Sequence, residues 1–267
     1  MGSINKIKKE FKQVNIKGAK YILMVSSAKG GVGKSTFSIN LAFALKNLKK
    51  KIGILDADVY GPSLGKLIGK NEKPKSDGKS LLPIKFHEIQ CISMGFLIED
   101  TSPIIWRGPM VISAIKTLTE KVLWDDLDIL IVDMPPGTGD TQLTFAQDFK
   151  ISGAIIISTP QELALLDVRR GIQMFNKTNI NIIGLVENMS FFKGEDGKIY
   201  EIFGKEGVEK TAKEFSATFL GKIPIHQDLR ISADKGIPLV YSNPDHEISK
   251  IFNEISKKIL LYFNLKD

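Results

Sequence analysis

Ser27-Ala28-Lys29-Gly30-Gly31-Val32-Gly33-Lys34-Ser35-Thr36 is the stretch on which the reading of this chain turns. An apolar run at 21–25 precedes it, and apolar residues recur at helical spacing through 37–48 behind it. Strand, glycine-rich turn and helix, in that order, form the context that a phosphate-binding loop requires. The glycines let backbone N–H groups turn inward around an anion, and the helix N-terminus adds its partial positive charge. Ala28, Lys29, Gly30, Gly31, Val32, Gly33, Lys34, Ser35 and Thr36 are therefore the candidate nucleotide-binding residues. In such a loop Lys34 reaches the β- and γ-phosphates, and the Ser35 hydroxyl ligates magnesium. Ala28 stands where the first glycine of the usual pattern falls, and a second lysine, Lys29, lies inside the loop.

Two further strand ends carry carboxylates. Ile129-Leu130-Ile131-Val132-Asp133 is an apolar strand that places Asp133 at the C-terminal edge of a sheet, beside the phosphate loop. Asp133 can hold magnesium there, directly or through water, and Gly137 in the following Pro-Pro-Gly turn can bring a backbone N–H to a γ-phosphate. Asp56-Ala57-Asp58 ends another apolar run, 51–55. One of that pair can orient the attacking water while the other supports the magnesium shell. Spacing alone does not divide the roles; Asp58 is the favoured residue for the water.

Around these motifs, apolar strands alternate with amphipathic helices from about residue 21 onward. That alternation predicts an α/β fold, a mostly parallel sheet with helices on both faces. Strands are expected at 51–55, 128–132, 153–158, 181–186 and 218–223, with a looser pair within 84–94. Helices are expected over 109–122, 141–149, 162–175, 204–215 and 247–263. Residues 70–79, rich in lysine, proline and glycine, read as a surface loop, and 193–198 as a hairpin turn. Residues 1–20 form a lead segment and 21–267 one domain.

Composition narrows the class. Of 267 residues, 43% are hydrophobic and 25% charged, the balance of an ordinary globular protein. No apolar run approaches the roughly 18 residues needed to span a bilayer, and 1–20 has no signal-peptide pattern, so a cytoplasmic location is expected. The net charge of +7 comes from lysine spread along the chain, with arginine only at Arg107, Arg169, Arg170 and Arg230. Diffuse lysine reads as solvated surface rather than a nucleic-acid footprint. Cys91 is the single cysteine, which leaves no intrachain disulfide and no cysteine-built metal cluster. His87, His226 and His246 are scattered, with no zinc-site spacing.

The three motifs together resemble the deviant-Walker-A ATPases, the group of MinD, ParA and the nitrogenase iron protein. Within it the chain is most similar to the Mrp/ApbC family of iron–sulfur cluster carrier ATPases. The resemblance runs from about 21 to 242. It rests on the phosphate loop, Leu55-Asp56-Ala57-Asp58-Val59-Tyr60-Gly61-Pro62-Ser63, Trp106-Arg107-Gly108-Pro109-Met110, Asp133-Met134-Pro135-Pro136-Gly137-Thr138-Gly139-Asp140, Ser158-Thr159-Pro160-Gln161 and Val186-Glu187-Asn188-Met189-Ser190.

The resemblance implies a Mg-dependent ATPase whose homodimer sandwiches two ATP molecules, with iron–sulfur apoproteins as clients. It implies that Lys29 reaches the partner's nucleotide, that Asn188 contacts the adenine and that 224–228 closes the base pocket. One departure stands out. The family's Cys-x-x-Cys aligns with Gly194 and Gly197, and glycine has no side chain with which to ligate a cluster. A MinD- or ParA-like positioning switch is the alternative. It would use the stripe Ile248, Ile251, Phe252, Ile255, Ile259 and Phe263 on a membrane, whereas the expectation for such a closing helix is core packing.

Overall fold

The computed structural model describes residues 13–97 and 108–266. Trp106 and Arg107 of the family-like motif, and 1–12 of the lead segment, lie outside them. The strands are β1 (Ala19–Ser26), β2 (Ile52–Asp56), β3 (Ile84–Phe86), β4 (Ile89–Ser93), β5 (Leu127–Asp133), β6 (Gly153–Ser158), β7 (Ile182–Lys193), β8 (Ile199–Tyr200) and β9 (Phe219–Ile225). They form one sheet in the order β3-β4-β2-β5-β1-β6-β7-β8, with β9 also paired to β7. Pairing is parallel except where β3 meets β4 and β8 meets β7.

The helices divide between the two faces. α1 (Lys34–Asn47), α2 (Leu64–Leu67), α7 (Gln227–Lys235), α8 (Leu239–Ser242) and α9 (Glu247–Tyr262) pack on one face. α3 (Gly108–Lys121), α4 (Asp140–Asp148), α5 (Glu162–Lys177) and α6 (Gly207–Glu214) pack on the other. Covering both faces explains why the central strands read as continuous apolar runs rather than alternating ones. Along β1, for example, Leu23 and Val25 enter the α1–α9 core while Ile22 and Met24 enter the opposite one.

The expected architecture is the observed one, with several corrections. β1 begins at Ala19, so a boundary between residues 20 and 21 would cut a strand. Val14 also bridges to Phe149, which ties the described part of the lead segment to the domain. β7 runs on past 186 because Asn188 and Phe192 still find partners on β9, and Phe192 on β8 as well. The C-terminal stripe is core: Ile248, Phe252, Ile255, Ile259 and Phe263 are buried, Ile251 packs at the margin, and Phe252 lies 5.7 Å from the Phe37 ring.

Glu187 shows how a strand can anchor a helix start. It is buried on β7, and its Oε2 accepts the Val208 N–H of α6 at 2.9 Å. Burial pushes its carboxyl above the ordinary value, ahead of the opposing pull from the Val208 amide and Lys222. A carboxyl raised on folding contributes stability that is fully present below its unfolded value and lost as pH rises through the folded one. Glu187→Gln, which keeps an acceptor oxygen for Val208, is expected to flatten that decline. Urea midpoints across the mildly acidic range would show it; an unaltered slope would count against a buried charge at this position.

Candidate nucleotide site

The strand order reverses around β1, and β1, β2, β4 and β5 all end at the same edge of the sheet. In open α/β sheets ligands collect in the crevice outside such a reversal. Register fixes which side chains meet there: Asp56 is the parallel partner of Asp133 on one side and of Ser93 on the other, and Val25 is paired with Asp133.

The loop between β1 and α1 turns through Gly31 and Gly33, at φ +80° and +83°, a region that strains any L side chain. A Cβ on Gly33 would also collide with the Asn188 amide nitrogen. Lys34, the first residue of α1, is buried, and its Nζ lies 2.7 Å from Asp133 Oδ1 and 3.3 Å from Ser35 Oγ. Ser38 Oγ lies 3.0 Å from the same carboxylate oxygen and 3.0 Å from the Lys34 carbonyl, sharing one proton between them. The lysine on which the motif depends is thus held at the base of the loop by the β5 carboxylate. Lys29 sits exposed on the loop, with no ion pair among the described residues.

The pair Asp56 and Asp58 divides by its backbone partners. Asp56 Oδ2 accepts from Ser63 N (3.0 Å), Leu64 N (3.1 Å) and Ser93 Oγ (2.9 Å), and Oδ1 accepts from Asp58 N (3.1 Å). It organises the turn from β2 into α2. Burial and then the Asp133 carboxylate push its carboxyl up to about 7, against the pull of those donors and of Lys34. Asp58 accepts only through Oδ1, from Tyr60 N at 3.3 Å and Gly61 N at 3.2 Å. Its Oδ2 takes no hydrogen bond among the described residues, and burial raises this carboxyl too.

Two expectations are altered by geometry. The Gly137 N–H, expected to face a γ-phosphate, is donated to the Ser27 carbonyl at 2.8 Å and closes the Pro135–Pro136 turn onto the end of β1. The Asn188 amide, expected against an adenine, donates to the Val32 carbonyl at 2.7 Å. Asn188 nevertheless borders a mostly apolar cavity of about 420 Å³, walled also by Gly33, Thr36, Met189, Pro224 and His226. Segment 224–228 contributes Pro224, Ile225 and His226 to that wall.

Sequence reading missed Gln142. From α4 its Oε1 accepts the Ser26 hydroxyl at 2.9 Å and its Nε2 donates to the Pro135 carbonyl at 2.7 Å, tying the end of β1 to the turn after Asp133. A glutamine three residues past the turn glycine Gly139 was its only trace in the sequence. Gln142→Leu is expected to cost about 1–3 kcal/mol by stranding two buried polar groups, measured by urea denaturation; a loss near zero would show that the turn holds without it.

The histidines also need correcting: His226 and His246, apart in sequence, meet beside Asp228. Gly194 and Gly197 lie in the turn joining β7 and β8, where Gly194 donates to Lys198 O (2.9 Å) and Gly197 to Gly194 O (3.0 Å). Cys91 is fully buried on β4, and burial pushes its thiol up, away from the thiolate form that binds metals.

The ParA family model, described as NUBPL iron-transfer P-loop NTPase, matches residues 18–260. The chain belongs to this family. Among its relatives, a protein of Arabidopsis thaliana named iron-sulfur protein required for NADH dehydrogenase, mitochondrial, is 46% identical over 93% of this chain and 80% of its own length. The iron-sulfur cluster carrier protein of Escherichia coli K12 is 44% identical over 96% of this chain and 70% of its own. A solved structure of a nucleotide-binding protein from Archaeoglobus fulgidus, in complex with ADP, superposes with a TM-score of 0.76 at 34% identity, covering 89% of this chain and 93% of that one. The cell division ATPase MinD of Pyrococcus furiosus, at 20% identity and a TM-score of 0.66, shares the fold. The phosphate loop, the paired strand-end carboxylates and the neighbouring cavity thus lie in a P-loop NTPase of the NUBPL type. No helix among its described residues is long and apolar enough to cross a membrane.

Proposed function

We propose that this P-loop NTPase is a magnesium-dependent ATPase that acts as a homodimer in iron–sulfur cluster transfer. The observation that carries the reading is the buried Lys34 ammonium, held 2.7 Å from Asp133 directly behind a left-handed glycine loop. Such a cation is poised to move from one anion to another. When a triphosphate enters the loop, the backbone of 28–36 wraps it and Lys34 exchanges Asp133 for the β- and γ-phosphate oxygens. Asn188 and the segment from Pro224 border the cavity that takes the base.

The Ser35 hydroxyl and the Asp133 carboxylate are hard oxygen donors and suit magnesium. When bound, that ion offsets charge on the phosphate oxygens. Asp58, with one carboxylate oxygen uncommitted, orients the water that attacks the γ-phosphorus as the bond to ADP breaks. Lys29 crosses to the partner's nucleotide and offsets charge on the transferring phosphoryl group, as an arginine finger does elsewhere. Release of Gly137 from the Ser27 carbonyl would free its N–H for the same group.

The names of the relatives favour cluster transfer over a nucleotide-gated positioning switch, and the burial of the α9 stripe removes the surface that a membrane-binding switch would use. The cluster is cargo. Among the described residues no thiolate pair stands where the family-like motif would hold one, so no ligation step is assigned to this chain. Its part is the nucleotide-driven step of delivery to apoproteins.

Two measurements test the reading. Phosphate release from ATP should require magnesium; ATP bound but never hydrolysed would overturn the enzymatic half. Anaerobic incubation with iron and sulfide should leave the protein colourless by visible absorption and without acid-labile sulfide. A stable chromophore would show that other residues of the chain ligate a cluster.

A further inference from the structure

We propose that His226, Asp228 and His246 form a binding site for a borderline divalent transition-metal ion of the zinc, cobalt or nickel kind. The inference goes beyond the nucleotide reading and does not depend on it. Two of the chain's three histidines, 20 residues apart, converge because each begins a helix: His226 caps α7 and His246 caps α9. Their rings stand 4.8 Å apart and nearly perpendicular, at 83°. His246 Nε2 lies 3.2 Å from Asp228 Oδ2, and His226 Nδ1 lies 3.9 Å from the same oxygen. One ligand atom from each of the three residues falls within 4.8 Å of the others. Glu247 adds a fourth donor, its Oε1 3.5 Å from His226 Nε2.

The donor types select the ion. Imidazole nitrogen with carboxylate oxygen suits zinc and its neighbours, whereas magnesium prefers oxygen alone. The imidazoles are part-buried, at 27% and 14% exposure, and each is held by a backbone N–H at Nδ1, while the Asp228 and Glu247 carboxylates are open to solvent. Those two carboxylates also offset the positive ends of α7 and α9, which alone would repel a cation.

Proton bookkeeping sets the cost of loading. Without metal, His226 Nδ1 accepts the Asp228 N–H at 3.2 Å and His246 Nδ1 accepts the Ile248 N–H at 3.1 Å. Each neutral ring therefore carries its proton on Nε2, where it faces a carboxylate. An ion that takes Nε2 of a neutral ring requires that proton to move to Nδ1, because a coordinated imidazole keeps one N–H. With the proton on Nδ1, the amide contact at that helix start is given up. Metal binding and helix capping thus compete for the same rings.

The test uses tag-free, nucleotide-free, full-length protein, so its outcome stands apart from any result on ATP. Cobalt is titrated by its visible d–d absorption and zinc by calorimetry. One equivalent per chain is expected. His226→Asn and His246→Asn each remove an imidazole but supply a side chain that caps helices well. Each is expected to weaken zinc binding at least about tenfold and abolish the cobalt band while leaving the thermal midpoint in place. Asp228→Asn, an exposed change that does not threaten folding, is expected to weaken binding in the same direction. His87→Asn, remote from the cluster, is expected to bind as the parent does. No stoichiometric uptake by the parent protein, or uptake undiminished in the His226, His246 and Asp228 variants, overturns the proposal.

Discussion

Lys34→Ala is expected to weaken ATP binding about 100-fold and to lower folding stability by about 3 kcal/mol. The affinity loss follows from removing charge-assisted hydrogen bonds to two phosphates, each of which contributes about 1.5 kcal/mol or more. The stability loss comes from a different event in the same substitution. Lys34 and Asp133 are 6% and 3% exposed, so alanine leaves a buried carboxylate facing Asp56 with no cation between them. Breaking a buried pair by deleting one partner costs far more than deleting both. Lys34→Ala/Asp133→Asn should therefore recover about 1–2 kcal/mol of the loss without regaining nucleotide affinity. Calorimetric titration with ATP and urea denaturation read the two effects separately. Unchanged affinity in the single variant would refute the phosphate-loop assignment; a stable single variant would mean that the pair is not as dry as its burial implies.

Lys29→Ala should behave in the opposite way. Lys29 is exposed and has no ion-pair partner among the described residues, so its loss should leave the fold intact and ATP affinity within about threefold. Turnover is expected to fall on the order of 1,000-fold, because a cation supplied to the transferring phosphoryl group acts on the transition state more than on bound ATP. Single-turnover phosphate release at saturating ATP separates the two steps. A variant that hydrolyses normally would remove the cross-subunit role, and one that fails to bind would make Lys29 a ground-state ligand instead.

How far the sequence could be read depended on the range of the interactions concerned. The central strands were legible because a parallel sheet covered on both faces demands long apolar runs; residues 153–158 coincide with β6. The phosphate loop was legible because its chemistry is contained in ten consecutive residues. α2, α7 and α8 were not expected. α2 and α8 are four residues each and are held by tertiary contacts, such as the Asn40 Oδ1 of α1 accepting the Val240 N–H of α8 at 3.0 Å, while α7 offers only Leu229, Ile231 and Ala233 as an apolar pattern.

Register decided the rest. That Asp56 lies beside Asp133 and Ser93 follows from β2 pairing with β5 and β4, which no local pattern shows. Its role as organiser of the turn, rather than a free carboxylate, emerges only from the Ser63 and Leu64 amides that fold back onto it. The meeting of His226 with His246 has the same origin: two helix starts 20 residues apart brought together by packing on one face of the sheet.

The position of one nitrogen atom tests the account most directly. A crystal structure of the protein with magnesium and a non-hydrolysable ATP analogue should show Lys34 Nζ drawn off Asp133 Oδ1 and onto phosphate oxygens, with the amides of 28–36 around them. A triphosphate bound elsewhere, or a loop that stays empty at saturating analogue with Lys34 still 2.7 Å from Asp133, would contradict it.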